Sequence, residues 1–260
     1  MNLRLDKYLA DFTELTRSQA KREIREGRVQ VNGETAKAGN DKVAFSDSIL
    51  WDGREIRGQQ YQYIMLNKPA GIVSSTADDR DETVVEYIRK RSPAGISSIS
   101  EHNGESVFLA KDLFPMGRLD KDTEGLLVLT NDGELAHRLL SPRYHEVKKY
   151  FVQLDKDLDT TDVEKMREGL DIGEKRLTRP AVLEILAPRE ALLTITEGKF
   201  HQVKRMFAKL GKAVTYLKRV EMGTLVLDES LAVGEWRFLT EEEIRNLTSQ
   251  PDNGKSNSSG

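Results

Sequence analysis

The strongest constraint on the fold is the recurrence of short apolar runs at irregular spacing. Tyr63-Ile64-Met65-Leu66, Leu126-Leu127-Val128-Leu129-Thr130, Tyr150-Phe151-Val152-Gln153-Leu154, Val182-Leu183-Glu184-Ile185-Leu186 and Leu192-Leu193-Thr194-Ile195-Thr196 all read as strands. Helical stretches fall between them at Glu134–Leu140, Thr161–Gly169 and Val203–Leu210. Thr240-Glu241-Glu242-Glu243 has the form of a capping box for a last short helix. No internal repeat is visible. Irregular alternation of this kind predicts an α+β class with a mixed, mainly antiparallel sheet flanked by helices. Pro69 is expected to interrupt the first strand, with Gly71-Ile72-Val73 continuing it, and residues 92–106 read as a long mobile loop.

The first 58 residues read differently, as a small α/β module. Thr16-Arg17-Ser18-Gln19 is a capping box, and the helix it starts runs to Glu26, with Gly27 placed to end it. Ala20 and Ile24 face inward, while Arg17, Lys21 and Arg25 follow i, i+4, i+8 spacing and, with Arg28 just past the end of the helix, are expected on one outward face. Val29-Gln30-Val31 alternates as a strand and Asn32-Gly33 signals a tight turn. Further strand pieces follow at Val43-Ala44-Phe45 and Ile49-Leu50-Trp51. The expected division is therefore a module over 1–58, a linker over 59–62, a second domain over 63–247 and a disordered polar tail over 248–260.

Composition narrows the chemistry. The 260 residues include no cysteine, which excludes disulfide scaffolds, thiolate zinc, iron–sulfur clusters and a thiol nucleophile. No apolar stretch approaches the ~20 residues that span a bilayer, and Met1–Asp6 carries no apolar signal core, so a cytoplasmic protein is expected. The net charge of −3 hides a sharp local bias. Lys199, Lys204, Arg205, Lys209, Lys212, Lys218 and Arg219 fall in one stretch with no acid, which suits a face that meets a polyanion. The four histidines lack zinc spacing, and no Gly-x-Ser-x-Gly elbow, phosphate loop or dinucleotide fingerprint occurs, so no metal and no cofactor are expected. Polar residues are densest at Gly117–Gly125, just before the buried strand. There Leu119 can anchor a loop that presents Asp120. From spacing alone Asp120 and Asp122 suit a turn better than a metal site.

Two resemblances follow from these motifs. Leu5-Asp6-Lys7-Tyr8-Leu9, Arg17-Ser18-Gln19-Ala20 and Gly27-Arg28-Val29-Gln30-Val31-Asn32-Gly33 resemble the S-four-like RNA-binding domain. That likeness implies RNA-phosphate contacts by Arg4, Lys7, Arg17, Lys21, Arg25 and Arg28, and clustered cations on a rigid helix suit that role. Lys68-Pro69-Ala70-Gly71, Gly117–Leu127, Lys149-Tyr150-Phe151-Val152 and Glu197–Met206 resemble, in the family's order, the ribosomal RNA pseudouridine synthases of the RsuA/RluB type. Leu177–Glu184 and Phe200–Met206 are most similar to the small-subunit (16S) branch.

The resemblance implies isomerisation of uridine to its C5-glycoside, with Asp120 as the catalytic carboxylate. Tyr150 is then the ring that stacks on the target base. Lys204 keeps the carboxylate ionised, Arg118 helps hold the flipped nucleotide, and Lys199 and Arg205 add RNA contacts. It also implies ribosomal RNA as the partner, as 16S RNA in a small-subunit assembly intermediate, and a monomer with no obligate protein partner. The competing readings are a large-subunit (23S) enzyme and a non-catalytic RNA-binding assembly factor. Lys68-Pro69 is read as support for the active-site loop. Tyr144, Tyr150, Phe200 and Tyr216 lie among basic residues as stacking on unpaired RNA would use, although core packing is the simpler reading of Phe200 and Tyr216.

Overall fold

The computed structural model describes residues 2–56, 58, 61–91, 98–102, 105–141 and 146–249. The tail expected over 248–260 falls outside them from Gln250 onward, as do residues 59–60 of the expected linker and Tyr144. The chain forms two compact units. One comprises residues 1–62 and 85–114, and the other comprises residues 63–84 and the chain from Pro115 onward. The sequence reading drew one boundary, whereas these units are discontinuous because residues 85–114 group with the first.

In the first unit, β1 (Leu3–Arg4) leads into α1 (Leu5–Phe12), followed by α2 (Arg17–Arg25). Thr16 caps α2, and the Gln19 side chain returns to the Thr16 amide, as the motif predicts. β2 (Val29–Val31), β3 (Glu34–Thr35), β4 (Lys42–Val43), β5 (Ile49–Trp51) and β6 (Arg54–Glu55) complete the module. β3, β2, β5 and β6 form one antiparallel sheet, and β1 pairs with β4. Asn32 and Gly33 both take positive φ, 52° and 85°, which the two-residue β2–β3 hairpin requires. The core joins Leu5, Leu9, Ala20, Ile24, Val29 and Ile49. Tyr8 is buried in it and has its hydroxyl satisfied, donating to Ile56 O and accepting from Gly58 N.

β7 (Tyr63–Lys68) opens the second unit. It stops at Pro69, and Gly71–Val73 does not extend it. Instead Gly71 N bonds to Lys121 O at 2.8 Å, so the segment is drawn to a different loop, and Val73 makes only an isolated bridge to Thr83. α3 (Val84–Lys90), β8 (Ser98–His102) and β9 (Glu105–Phe108) follow. Of the long loop expected over 92–106, residues 92–97 and 103–104 lie outside the described residues, and the rest forms β8 and the start of β9, which pair antiparallel.

β10 (Phe114–Met116), β11 (Glu124–Thr130), α4 (Gly133–Leu140), β12 (Lys148–Leu154), α5 (Thr160–Glu168), β13 (Val182–Ala187), β14 (Glu190–Ile195), α6 (Gln202–Lys209), β15 (Val214–Met222), β16 (Leu225–Val226), β17 (Trp236–Phe238) and α7 (Glu241–Thr248) complete the chain. The main sheet runs β13-β14-β12-β15-β11-β7-β17, with β10 on β11 and β16 on β15. Along that path, and for β16 on β15, every pairing is antiparallel except β11 with β15. The class is α+β, as expected. β15, at nine residues the longest strand, is hard to see in the sequence because Lys218, Arg219 and Glu221 break its apolar pattern. It is nevertheless central. A Cβ on Gly125 of β11 would lie 2.2 Å from Arg219 O, so only glycine lets these two parallel strands approach.

Candidate active site

The second unit holds a cavity of about 810 Å³, within the range of ligand sites. Its wall includes Arg118, Asp120, Tyr150, Lys199, His201 and Arg219. The loop carrying Asp120 connects β10 to β11 and is pinned from beneath. Leu119 is buried and exchanges hydrogen bonds with Ser74, whose hydroxyl donates to Leu119 O at 3.0 Å and accepts from Leu119 N at 3.1 Å. Lys68, at the end of β7, is fully buried. Its ammonium donates to the carbonyls of Pro69, Asp120, Lys121 and Thr123 at 2.9–3.3 Å. One ammonium therefore ties the Asp120 turn to the sheet, in the supporting role read for Lys68-Pro69. Burial pulls its pKa down to about 8.

With its backbone held in this way, the Asp120 carboxylate meets one side chain of α6 and one from the residue just before it. Lys204 Nζ lies 3.4 Å from Oδ2, and His201 Nε2 lies 3.6 Å from Oδ1. Lys204 also contacts Asp122, and that hydrogen bond keeps the Asp122 carboxyl below the usual carboxylate range. Asp122 thus shares the lysine, and no group of three potential metal ligands occurs among the described residues. The start of α6 is fixed by Gln202, which is buried. It donates to Glu197 at 2.8 Å and accepts from Lys199 N at 2.8 Å.

Tyr150 reaches the cavity from β12 and is 8% exposed. In the β12–β15 ladder it pairs with Arg219, and directly opposed residues share a sheet face. Arg118 is exposed on the cavity rim. Lys199 lines the cavity and reaches Arg176 O and Leu177 O at 3.4 Å. Arg205 is not part of the wall. It is turned toward Glu174, at 2.8 Å, and the carbonyls of Phe200 and Ile172, where it braces α6 against the 172–174 segment. Phe200 departs from the packing reading. It is 75% exposed and stacks on the His201 ring at 3.8 Å between centroids. Tyr216 donates to Glu124 at 2.8 Å and packs edge-on against Phe151.

The sequence reading missed Arg219, Lys148, Arg179 and His201 as wall residues. The first two sit on strands whose apolar alternation they interrupt. Their only sequence signal was the excess of basic residues in that part of the chain.

A second concavity lies in the first unit, lined by Arg4, Ser18, Lys21, Arg25, Lys37 and Asn40 among others. Asp6 organises it. This carboxylate is fully buried, and Arg4, Arg17 and Lys21 approach it at 2.8, 3.1 and 3.7 Å. The Arg4 and Arg17 hydrogen bonds pull its pKa down to about 2. Arg28 does not share this face. The helix ends at Arg25, and Gly27 at φ +72° redirects the chain, so helical spacing no longer applies. Arg28 pairs instead with Glu23 at 3.1 Å and Glu26 at 2.9 Å. Lys7 pairs with Asp11 on α1.

Comparison with known proteins places the chain in a family. Residues 62–209 match the RNA pseudouridylate synthase family and residues 3–49 match the S4 domain. A relative from Vibrio parahaemolyticus, "Ribosomal small subunit pseudouridine synthase A", is 42% identical, with 93% of this chain and 98% of that one covered. The Escherichia coli protein of that name is 40% identical, covering 94% of this chain and 100% of that one. An Aquifex aeolicus "Uncharacterized RNA pseudouridine synthase" is 40% identical over 94% of this chain and 96% of its own. The solved structure titled "Crystal structure of pseudouridylate synthase" superposes with a TM-score of 0.62 at 41% identity, covering 94% of this chain and 99% of that one. The chain belongs to the RNA pseudouridylate synthase family and carries an S4 domain at its N-terminal end. Its reaction is the isomerisation of uridine to pseudouridine in RNA.

Proposed function

We propose that the chain modifies a uridine of 16S ribosomal RNA in the small ribosomal subunit, acting as a cytoplasmic monomer, and that the cavity around Asp120 receives the everted nucleotide. The observation that carries the site reading is Asp120, in a cavity that also presents Tyr150, with Lys204 Nζ 3.4 Å from its carboxylate. The lysine is a counter-charge beside a carboxylate that attacks the ribose or base or accepts a proton. Tyr150 offers a ring for the uracil to stack on. Arg118 and Lys199 stand where the flanking phosphates enter. The groove of the first unit adds phosphate contacts through Arg4, Arg17, Lys21 and Arg25 that hold RNA without reading its sequence. Lys7, Arg28 and Arg205 hold carboxylates, as Arg4, Arg17 and Lys21 hold Asp6 and Lys199 holds Glu197, so an RNA contact by any of them exchanges one partner for another. The small-subunit choice rests on the relatives at 40–42% identity.

The test is carbodiimide mapping of pseudouridine in ribosomal RNA from cells with and without the gene. One position in 16S RNA should lose its label and regain it with the wild-type gene but not with Asp120→Asn. Loss of a 23S position instead would move the assignment to the large subunit. An unchanged map would favour a binding factor without catalysis.

A further inference from the structure

We propose that Arg219 holds a carbonyl oxygen of the everted uracil and neutralises the negative charge that the base carries once its bond to the ribose is broken. This rests on the reading of the Asp120 cavity as the uridine site. Arg219 is 1% exposed and stands in the middle of the sheet, yet it forms part of the cavity wall. Its Nε donates to Leu126 O at 2.8 Å, which fixes the plane of the guanidinium. Its Nη2 is buried with no hydrogen-bond partner, and no carboxylate pairs with it among the described residues. Its charged neighbours include other cations. Lys148, whose ammonium donates to Glu146 O at 2.9 Å, is disfavoured as a cation by its burial first and by Arg219 second.

A buried guanidinium without a counter-charge is costly, so it is retained where an anion arrives from outside. Two parts of an RNA could bring one, a phosphate or the base. The backbone must enter and leave the cavity along its rim, so a phosphate stays near the surface. Only an everted base penetrates to the level of Tyr150, and Arg219 is directly opposite Tyr150 on the neighbouring strand. A uracil stacked on that ring turns its edge toward the guanidinium.

The reaction creates charge at that edge. When the C1′–N1 bond breaks, its electron pair leaves with the base. The detached uracil is then an anion with charge shared among N1, O2, C5 and O4. Carbon C5 next forms the bond to C1′ and gives up its proton, and N1 gains one, so the product is an isomer with no net change of atoms or electrons. A fixed donor aimed at O2 or O4 stabilises the anion more than the neutral substrate, which lowers the barrier.

The experiment is a double-mutant cycle in single-turnover assays. Wild type and Arg219→Gln are each given a small-subunit RNA fragment whose target is uridine, 2-thiouridine or 4-thiouridine. Arg219→Gln should keep RNA affinity within about threefold yet slow conversion by about 10²–10³-fold, the usual cost of one such donor. Sulfur accepts hydrogen bonds poorly, so one thio position should slow wild type by about tenfold or more and cost nothing further in Arg219→Gln. A wild-type rate for Arg219→Gln, no thio effect in wild type, or thio effects that simply add in the variant would overturn the proposal. Non-additivity with a methylphosphonate beside the target, in place of the thio bases, would overturn it in favour of a phosphate contact. If Arg219→Gln fails to fold, Arg219→Lys goes through the same cycle, since it keeps a charge but loses the planar fork. Asp120→Asn is run in parallel. A wild-type rate in that variant removes the site reading itself, whereas an inactive Asp120→Asn beside a fully active Arg219→Gln removes only this inference.

Discussion

The two units both concentrate positive charge, and they do so in opposite ways. In the first, Arg4, Arg17 and Lys21 are each 41–54% exposed and converge on one buried carboxylate, Asp6. In the second the order is reversed. Lys68 and Arg219 are buried, and Asp120 is the partly open group, 27% exposed, with Lys204 beside it at 26%. Exposed cations over a buried acid give a surface that attracts phosphates, is screened by salt and tolerates small displacements. Buried cations beneath an open acid hold a reacting group in one place, in surroundings where each charge counts for more. On the proposed function, affinity rests chiefly on the first arrangement and chemistry on the second.

The comparison can be broken most directly at Asp120. Asp120→Asn should reduce pseudouridine formation by at least about 10³-fold, a loss typical of a residue central to chemistry. RNA affinity measured by anisotropy should stay within about twofold. A large drop in affinity would mean that the cavity, and not the groove, dominates binding.

Lys68 comes next. Lys68→Met leaves the carbonyls of Asp120, Lys121 and Thr123 without their buried donor. A buried group so stranded costs about 1–3 kcal/mol, to be read in thermal unfolding, and the displaced turn should lower the rate at least tenfold. The wild type offers a milder version. Turnover should fall as pH rises through about 8, where the ammonium loses its proton. Because its folded pKa lies below the unfolded one, raising pH from 8 toward 10.5 relieves the cost of burying its charge. Stability through this group should therefore not fall while activity does. A parallel loss of melting temperature over the same interval would refute the assignment.

Smaller effects belong to the groove. Replacing Lys21 and Arg25 together by Gln should weaken RNA binding by about tenfold. It should also flatten the slope of log affinity against log salt by about 1.5, with the rate at saturating RNA unchanged. An unchanged slope would move the RNA to another face. The slightest effect is at low pH. Asp6 has its pKa depressed to about 2, so its contribution to stability is complete above its unfolded value near 3.8 and is lost as pH falls through 2. Asp6→Asn should remove that acid dependence from the first unit's unfolding curve.

Local rules carried well wherever a few neighbouring residues decide the outcome. The capping boxes at Thr16 and Thr240, the Asn32-Gly33 hairpin and the all-buried Leu126–Thr130 strand were legible because each depends on contacts within a handful of positions. That Asp120, Tyr150 and Lys204 come close together was legible only through motif resemblance, and the roles given to them are proposed; Lys68 was legible as a support of the loop. The strands at 98–102 and 105–108 were not, because their small polar residues show no apolar alternation, and the long strand 214–222 was not, because its pairings are with strands far along the chain. Arg28 was misplaced by extending helical spacing past a glycine turn, and Phe200 by treating an aromatic residue as core.

The sequence by itself determined the α+β class and, through its motifs, the RNA-binding module, because periodicity, capping and turn chemistry are local. Only the tertiary structure decided that Arg219 lies opposite Tyr150, that Lys68 grips the Asp120 turn and that Arg205 braces a helix instead of facing the cavity. The reason is physical. Strand register and burial are set by pairings across the sheet, and a charged residue in a sequence carries no mark of whether water or protein will surround it.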